Sequence, residues 1–185
     1  MSSSPEYPQS LLARAAKIKL LLMDCDGVLT DGRVYFLPGP NGEIFETKPF
    51  DSQDGIALQW ALAVGIQTGI ISGRKSAAVE ERARSVKMRY LYQGQTQKLP
   101  LFEEILADSG FSPEEIGYVG DDVTDLPIMR RVGLAAAPSN SRPQALEAAH
   151  FVAPALGGSG AVREVIELLL KAQGRWAEIM ARYEI

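Results

Sequence analysis

Short apolar runs alternate along the chain with longer segments in which apolar residues recur every three or four positions. The short runs predict buried strands, and the longer segments predict helices. Strands are predicted at 18–23, 66–71, 90–92, 116–120, 133–137 and 150–152. Helices are predicted at 9–16, from an N-cap at Asp54 to about 64, after Ser72 to about 86, and at 98–109, 123–131, 142–148 and from 161 onward. Repeated strand and helix units predict an α/β fold: a three-layer, Rossmann-like parallel sheet with helices on both faces.

Two further patterns interrupt this alternation. Residues 33–37 and 43–48 are two β-prone arms around Asn41-Gly42, and this pattern predicts a hairpin. The hairpin follows the first strand directly, so we expect it to project over one end of the sheet as a flap or an oligomer contact. The run Ser112-Pro113-Glu114-Glu115 has the capping serine, proline and glutamate of a helix start.

The size and charge of the chain exclude several classes of protein. A length of 185 residues fits one α/β domain, which we expect at 11–174, with a flexible tail at 1–10 and a C-terminal tail at 175–185. The net charge of -4 argues against nucleic-acid binding. No apolar stretch approaches the ~20 residues that span a bilayer, so no membrane partner is expected. The single cysteine and the absence of signal-peptide features favour a cytoplasmic protein.

Two carboxylates follow the first predicted strand. The apolar run 20–23 ends on Asp24-Cys25-Asp26-Gly27, and the carboxyl ends of strands are where open α/β sheets bind ligands. Concentrated negative charge at such a place is costly unless a cation neutralises it. The segment therefore predicts a metal-dependent catalyst. Cys25 lies between the two carboxylates and is interpreted as a packed apolar residue, with a redox-sensitive thiol as the alternative.

Other reactive side chains lie at the ends of later strands. Ser72, Lys98 and Asp121 each follow a predicted strand, and Asp122 and Asp125 come directly after. This set suits phosphoryl transfer, because a carboxylate can attack phosphorus, a second can move protons, and a hydroxyl and an ammonium can hold phosphate oxygens. Mg²⁺ is the hard cation that such carboxylates bind. The only histidine, His150, lies in a predicted turn, so no histidine-based triad is expected.

The residues also carry a family resemblance. Asp24-x-Asp26-Gly27-Val28-Leu29-Thr30, Ser72-Gly73-Arg74, Lys98 and Gly120-Asp121-Asp122-x-x-Asp125 resemble the four motifs of the haloacid dehalogenase superfamily. Tyr92-Gln93-Gly94-Gln95-x-x-Lys98, Gly157-Gly158-x-Gly160-Ala161-Val162-Arg163-Glu164 and the hairpin are similar to the subgroup of 3-deoxy-D-manno-octulosonate 8-phosphate phosphatases. The resemblance covers about residues 18–174 and implies a fold with no large cap domain.

The resemblance implies a role for each matching residue. Asp24 would be the nucleophile, Asp26 the general acid and base, and Ser72 and Lys98 would hold the phosphate. Mg²⁺ would be bound by Asp24, Asp26 (through its carbonyl) and Asp121. Positions implied to contact substrate are Asp26, Asp51, Ser52, Gln53, Asp54, Gly55, Gln59, Arg74, Arg82 and Lys98. Supporting roles fall to Asp122, which would otherwise only cap a helix, to Asp125, which would orient Lys98 or a metal-bound water, and to Arg163.

The resemblance further implies a substrate, a pathway and an oligomer. The substrate would be a phosphorylated sugar acid, 3-deoxy-D-manno-octulosonate 8-phosphate, and the pathway lipopolysaccharide biosynthesis. Members of the subgroup are similar in forming homotetramers, in which a neighbour's hairpin and C-terminal segment, here residues 157–163, would close the site.

One departure affects the substrate assignment. The subgroup usually carries arginine near residues 53 and 59, and this chain has Gln53 and Gln59, which cannot supply arginine's charge. The alternative substrates are therefore a nonulosonate 9-phosphate or another small sugar phosphate. Two alternatives of a different class are a receiver domain and a non-catalytic regulatory domain. In a receiver, however, the phosphorylated aspartate ends a middle strand, and here the Asp-x-Asp pair ends the first.

Overall fold

Six parallel strands form the central sheet in the computed structural model of the protein, which describes residues 7–184. The strands are β1 (Leu20–Met23), β4 (Gln67–Ser72), β5 (Tyr90–Gln93), β6 (Ile116–Val119), β7 (Leu134–Pro138) and β8 (Phe151–Ala153). Two further strands, β2 (Tyr35–Pro38) and β3 (Ile44–Thr47), pair antiparallel as a separate hairpin. The predicted parallel sheet and hairpin are therefore confirmed.

Helices precede, connect and follow the strands of the central sheet. They are α1 (Gln9–Ala15), α2 (Ser52–Ala63), α3 (Ala77–Ser85), α4 (Leu99–Ser109), α5 (Leu126–Met129), α6 (Pro143–Ala148), α7 (Ala161–Ala172) and α8 (Trp176–Ala181). Side chains of β1 alternate between two apolar cores: Leu21 and Met23 face α1, α2, α3, α7 and α8, and Leu20 and Leu22 face α4, α5 and α6. The sheet is thus the middle of three layers, as predicted. No helix within the described residues is long and apolar enough to cross a bilayer.

The strand order places a crevice beside β1. The order across the sheet is β5-β4-β1-β6-β7-β8, so the chain moves outward on one side of β1 and then returns to its other side. β1 pairs with β4 through Leu20 and Gln67, and with β6 through Leu20 and Ile116. The direction of winding reverses between β1 and β6. Open α/β sheets bind ligands at the carboxyl ends of the strands at such a reversal.

Two predicted helix starts differ in the structure. α2 is capped by Asp51, whose carboxylate accepts hydrogen bonds from the backbone N–H groups of Gln53 and Asp54, so the prediction of Asp54 as the cap was wrong. Asp54 lies inside the helix and is fully buried. The helix start at Ser112 produces only a 3₁₀ turn, Pro113–Glu115. Pairing of Ile116 with β1 draws the chain into the sheet directly after that turn.

The ends of the chain also bear on the expected tails. Residues 1–6 lie outside the described residues, and α1 begins at Gln9, inside the predicted N-terminal tail. The predicted C-terminal tail contains α8, which buries Ile179. The indole rings of Trp60 and Trp176 meet edge to face at 5.9 Å, and the Trp60 indole donates a hydrogen bond to the Tyr183 hydroxyl at 2.9 Å. These contacts pack the C-terminal segment onto α2.

Candidate active site

The carboxyl ends of β1, β4 and β6 bring the predicted reactive side chains together. They surround a cavity of about 270 Å³. The cavity is lined by Asp24, Asp26, Ser72, Gly73, Arg74, Thr96, Lys98, Asp121, Asp122 and Thr124. Residues separated by almost a hundred positions in the sequence therefore share one pocket, because parallel strands present their carboxyl ends at the same edge.

Asp24 is held by two donors on one of its carboxylate oxygens. Its Oδ1 accepts a hydrogen bond from the backbone N–H of Cys25 at 2.7 Å and lies 3.0 Å from the Lys98 ammonium. Burial raises the pKa of Asp24 to about 6, with Lys98 lowering it and the Asp125 charge adding to the rise. Since Oδ1 is engaged, Oδ2 is the oxygen available to attack a substrate.

Lys98 joins Asp24 to a second carboxylate. Its ammonium donates to Asp125 Oδ1 at 2.7 Å, and the side chain is almost completely buried. Burial alone would lower the pKa of Lys98, but the charges of Asp24 and Asp125 raise it overall. Lys98 therefore remains an ammonium that can neutralise charge on a phosphoryl group.

Asp125 organises the groups around it. Its Oδ1 accepts from the Tyr118 hydroxyl at 2.7 Å as well as from Lys98, and its Oδ2 accepts from the backbone N–H groups of Asp121 at 3.0 Å and Asp122 at 3.2 Å. Oxygens of Asp24, Asp121 and Asp125 lie within 4.8 Å of one another. Because both Asp125 oxygens already accept hydrogen bonds, Asp125 orients its neighbours, and the carboxylates that could hold a metal ion are those of Asp24 and Asp121.

Asp121 has the features of a cation ligand. Its Oδ1 is buried and has no hydrogen-bond partner among residues 7–184. Burial raises the pKa of Asp121 to about 7, and the charges of Asp24, Asp125 and Asp122 add to the rise. Gly27 leaves the space that the carboxylate occupies, since a Cβ there would lie 2.2 Å from Asp121 Oδ2. The Asp121 carboxylate and the nearby Asp24 carboxylate supply oxygen ligands that fit Mg²⁺.

Asp26 belongs to a separate ionic network. Its Oδ1 accepts from the Lys48 ammonium at 2.5 Å, and its Oδ2 lies 3.9 Å from Arg74 Nε. Glu46 links the two cations, with Oε1 3.6 Å from Lys48 and Oε2 2.9 Å from Arg74. The two aspartates of the Asp-x-Asp segment thus have different cationic partners, Lys98 for Asp24 and Lys48 for Asp26.

Sequence reasoning missed Lys48 and Tyr118. Lys48 follows β3, and the β-strand pattern of that arm gave no sign that its side chain would be buried beside Asp26. Tyr118 lies in the middle of β6, where a tyrosine is ordinarily a core residue. Thr96 and Thr124 also line the cavity. Thr96 lies two positions before Lys98 and Thr124 two positions after Asp122, and this proximity was the only available signal.

The remaining predicted residues at the cavity have distinct positions. Ser72 ends β4, and its buried hydroxyl accepts a hydrogen bond from the backbone N–H of Arg74 at 3.3 Å. The Arg74 side chain is half exposed at the cavity mouth. The Asp122 carboxylate accepts from the backbone N–H of Val123 at 2.7 Å, which is a local turn contact. Cys25 is buried and packs as predicted, and burial with the Asp26 charge raises the pKa of its thiol to about 12, which disfavours the thiolate.

Several predicted substrate contacts lie outside this cavity. Asp54 Oδ1 accepts from the backbone N–H of Arg163 at 2.8 Å, so the buried carboxylate caps α7 from another helix. Arg82 donates to the Asp51 carbonyl at 2.7 Å and lies over the Phe50 ring at 5.4 Å. The other members of this group, at the start of α2 and on its outer face, also do not line the cavity within this single chain: Ser52, Gln53, Gly55 and Gln59.

The glycine-rich segment before α7 packs on its own chain. The backbone N–H of Gly158 donates to the Val28 carbonyl at 2.9 Å, and a Cβ at Gly157 would lie 1.8 Å from the Gly27 carbonyl oxygen. This backbone therefore supports residues 24–30 of its own chain, the candidate catalytic loop, and the expectation that residues 157–163 close a neighbour's site stays a prediction. The Arg163 guanidinium lies over the Trp60 ring at 4.7 Å and its Nε donates to Glu167 at 2.9 Å, so that side chain is engaged elsewhere.

Comparisons with known proteins identify relatives that match nearly the whole chain. The chain is 44% identical over 168 residues to 3-deoxy-D-manno-octulosonate 8-phosphate phosphatase KdsC of Escherichia coli strain K12, covering 91% of this chain and 87% of that protein. The solved structure of the phosphatase of the same name from Moraxella catarrhalis, in complex with a magnesium ion, a phosphate ion and a KDO molecule, is similar with a TM-score of 0.89. It is 36% identical, and the alignment covers 96% of this chain and 99% of that one.

A third relative places the fold in a wider group. A Legionella pneumophila structure assigned to the HAD superfamily, subfamily III A, is similar with a TM-score of 0.87 and 38% identity, covering 94% of this chain and 93% of that one. No family model matches the chain. On the identity and coverage of its relatives, the chain belongs to the 3-deoxy-D-manno-octulosonate 8-phosphate phosphatase family of the haloacid dehalogenase superfamily.

Proposed function

We propose that the protein is a Mg²⁺-dependent phosphomonoesterase that hydrolyses 3-deoxy-D-manno-octulosonate 8-phosphate to the free sugar acid and phosphate. The reaction would belong to lipopolysaccharide biosynthesis. The observation that carries the proposal is the separate support of the two aspartates: Asp24 beside Lys98, and Asp26 beside Lys48, at one cavity. Two carboxylates with different partners suit two different tasks in one reaction.

The first half-reaction uses both aspartates. The free Oδ2 of Asp24 attacks phosphorus, and the bond between phosphorus and the sugar's C8 oxygen breaks as the aspartyl phosphate forms. The departing oxygen takes a proton from the carboxyl group of Asp26 and leaves as the alcohol. Lys98 and the Ser72 hydroxyl hold phosphoryl oxygens during the transfer.

The second half-reaction restores the protein. A water molecule attacks the phosphorus of the aspartyl phosphate and gives a proton to Asp26, and phosphate leaves as the Asp24 carboxylate is released. When bound, Mg²⁺ would be held by Asp24, Asp121 and the Asp26 carbonyl, and would supply positive charge that offsets repulsion between carboxylate and phosphate. Asp125 keeps Lys98 and the backbone of Asp121 in position throughout.

A panel of substrates tests the proposal. Steady-state rates would be measured with and without Mg²⁺ on the octulosonate 8-phosphate, a nonulosonate 9-phosphate, a simple sugar phosphate and an activated aryl phosphate. We expect the highest kcat/KM for the octulosonate ester and no turnover without the metal. A preference for the nonulosonate 9-phosphate would make that ester the substrate. It is included because Gln53 and Gln59 stand where the subgroup usually carries arginine. Phosphorylation without turnover would indicate a receiver-like domain.

We further propose that the protein acts in the cytoplasm as a homotetramer. Support for the oligomer comes from the hairpin region, which exposes six large hydrophobic side chains between residues 34 and 45; those of Phe36 and Ile44 are 61% and 63% exposed. Exposed apolar surface of this kind is typical of protein interfaces. Light scattering coupled to size-exclusion chromatography would test it, and a Phe36→Ser variant should shift the species toward lower mass. The free, buried thiol of Cys25 suits a reducing compartment.

A further inference from the structure

Lys48 is the most completely buried cation of the hairpin region. Its side chain has no exposed surface, although β2 is exposed along its whole length and the start of β3 is exposed as well. Burial of an ammonium is costly unless it is paired and hydrogen-bonded. The pairing here is to Asp26 Oδ1 at 2.5 Å, with Glu46 Oε1 farther away at 3.6 Å. The principal partner of Lys48 is therefore Asp26.

The contact leaves one oxygen of Asp26 for the substrate. Lys48 engages Oδ1, and Oδ2 faces the side of the cavity where Arg74 lies, 3.9 Å from that oxygen. Arg74 in turn donates to Glu46, so the four side chains form a closed ring with two negative and two positive charges. Within the described part of the chain, this ring is the polar link from the end of the hairpin to the catalytic loop.

We propose that Lys48 is a positioning residue that fixes the Asp26 carboxylate, with Oδ2 turned toward the departing oxygen, and ties the hairpin to that orientation. The inference rests on the proposed function, because it concerns the proton that Asp26 gives to the leaving group. Loss of Lys48 would let the Asp26 carboxylate rotate. It would also remove the cation nearest to Glu46 Oε1, an atom that has no hydrogen bond, and would leave Asp26 and Glu46 with Arg74 as their shared cation.

The dependence on leaving group separates this role from a purely structural one. The leaving group of the octulosonate ester is a sugar alkoxide, which needs a proton as it departs. The leaving group of p-nitrophenyl phosphate is a stabilised phenolate, which does not. For Lys48→Met we expect kcat/KM to fall about 10²-fold for the alkyl ester and by less than about threefold for the aryl ester, since general acid catalysis contributes about that much. The aryl-ester rate also shows that the variant is folded with Asp24 and Lys98 in place.

A double-mutant cycle tests whether Lys48 acts through Asp26. Asp26→Asn should show the same leaving-group selectivity, and adding Lys48→Met to it should cause no further selective loss, because the two changes remove one function. Lys17→Met is the matched control, since Lys17 is exposed and precedes β1, at the end of the sheet opposite the cavity. The charge-balanced double variant Glu46→Gln, Lys48→Met removes one negative and one positive charge. It tests whether the loss comes from an unpaired buried charge, and we expect the selective loss on the alkyl ester to persist.

Three results would overturn the inference. They are an equal loss on both esters, full recovery of alkyl-ester turnover in the charge-balanced variant, and additive losses in the cycle. A wild-type protein inert toward both esters would instead contradict the proposed function itself, and the inference would fall with it. The pattern of selective loss is measured relative to an active wild-type protein, so the two failures are distinguishable.

Discussion

The backbone of Gly157, in the glycine-rich segment, packs closely against that of Gly27, in the candidate catalytic loop. Adding one methyl group at Gly157 tests whether this contact supports activity. In Gly157→Ala the new Cβ would lie 1.8 Å from the Gly27 carbonyl oxygen and 2.6 Å from its carbon. Both atoms are backbone, so no side chain can rotate away. Gly27 directly follows Asp26, so the clash is transmitted to Asp26, the proposed general acid, and to the loop that carries it.

The size of the effect follows from the distances. Carbon and oxygen atoms in close contact are about 3.3 Å apart, so the two segments must separate by roughly 1.5 Å. Overpacking of this kind costs about 1–3 kcal/mol of the free energy of unfolding. In a domain of this size, that lowers the melting temperature by about 2–12 °C. A displacement of about 1 Å at a catalytic group reduces turnover about 10²-fold.

The assay compares stability with activity in matched variants. Urea unfolding and kcat/KM would be measured for Gly157→Ala and for Gly65→Ala. Gly65 precedes β4 at the opposite end of the sheet, has φ of +86°, and has open space around an added Cβ. Its left-handed backbone makes alanine cost about 1–2 kcal/mol. We expect both variants to lose stability and only Gly157→Ala to lose activity. Equal activities would refute the role given to this contact.

Two further predictions concern the groups around the metal site. The raised pKa values of Asp24 (about 6) and Asp121 (about 7) mean that the folded, metal-free protein holds protons that the unfolded chain loses from about pH 4 upward. Its stability should fall as pH rises from about 4 to 7, and Mg²⁺ should raise the melting temperature more at pH 7.5 than at pH 5; an equal effect would contradict this. Tyr118→Phe removes a donor to the Asp125 carboxylate and should cost about 1.5–3 kcal/mol in urea unfolding. A stability within error of the wild type would show that this hydroxyl is not needed.

The positions of the reactive groups were predictable because they depend on backbone topology. Asp24, Ser72 and Asp121 each follow a recognisable apolar run, and parallel strands deliver their ends to one edge. Asp24 and Lys98 are 74 positions apart, yet the pattern alone placed them at one site, and the structure brings them within 3.0 Å.

Side-chain burial and tertiary contacts were not predictable in the same way. Asp51 and Asp54 both precede an apolar helical pattern, and only the packing of α7 against α2 decides which carboxylate caps which helix. Lys48 follows a strand with no core pattern, and its burial depends on where the hairpin folds back. The contact of Gly157 with Gly27 joins residues 130 positions apart, and nothing local marks it. Such burial and contacts are established only when secondary-structure elements distant in sequence pack against one another.

Asp24 is the residue on which the proposed chemistry depends most directly. Acid quenching during turnover of the aryl ester, followed by peptide mass spectrometry, would locate any phosphoryl group on the protein. The account predicts a phosphoryl group on the Asp24 carboxylate of the wild type, and none in a folded Asp24→Asn variant that has lost turnover. Normal turnover in Asp24→Asn, or phosphorylation at a different residue, would contradict it.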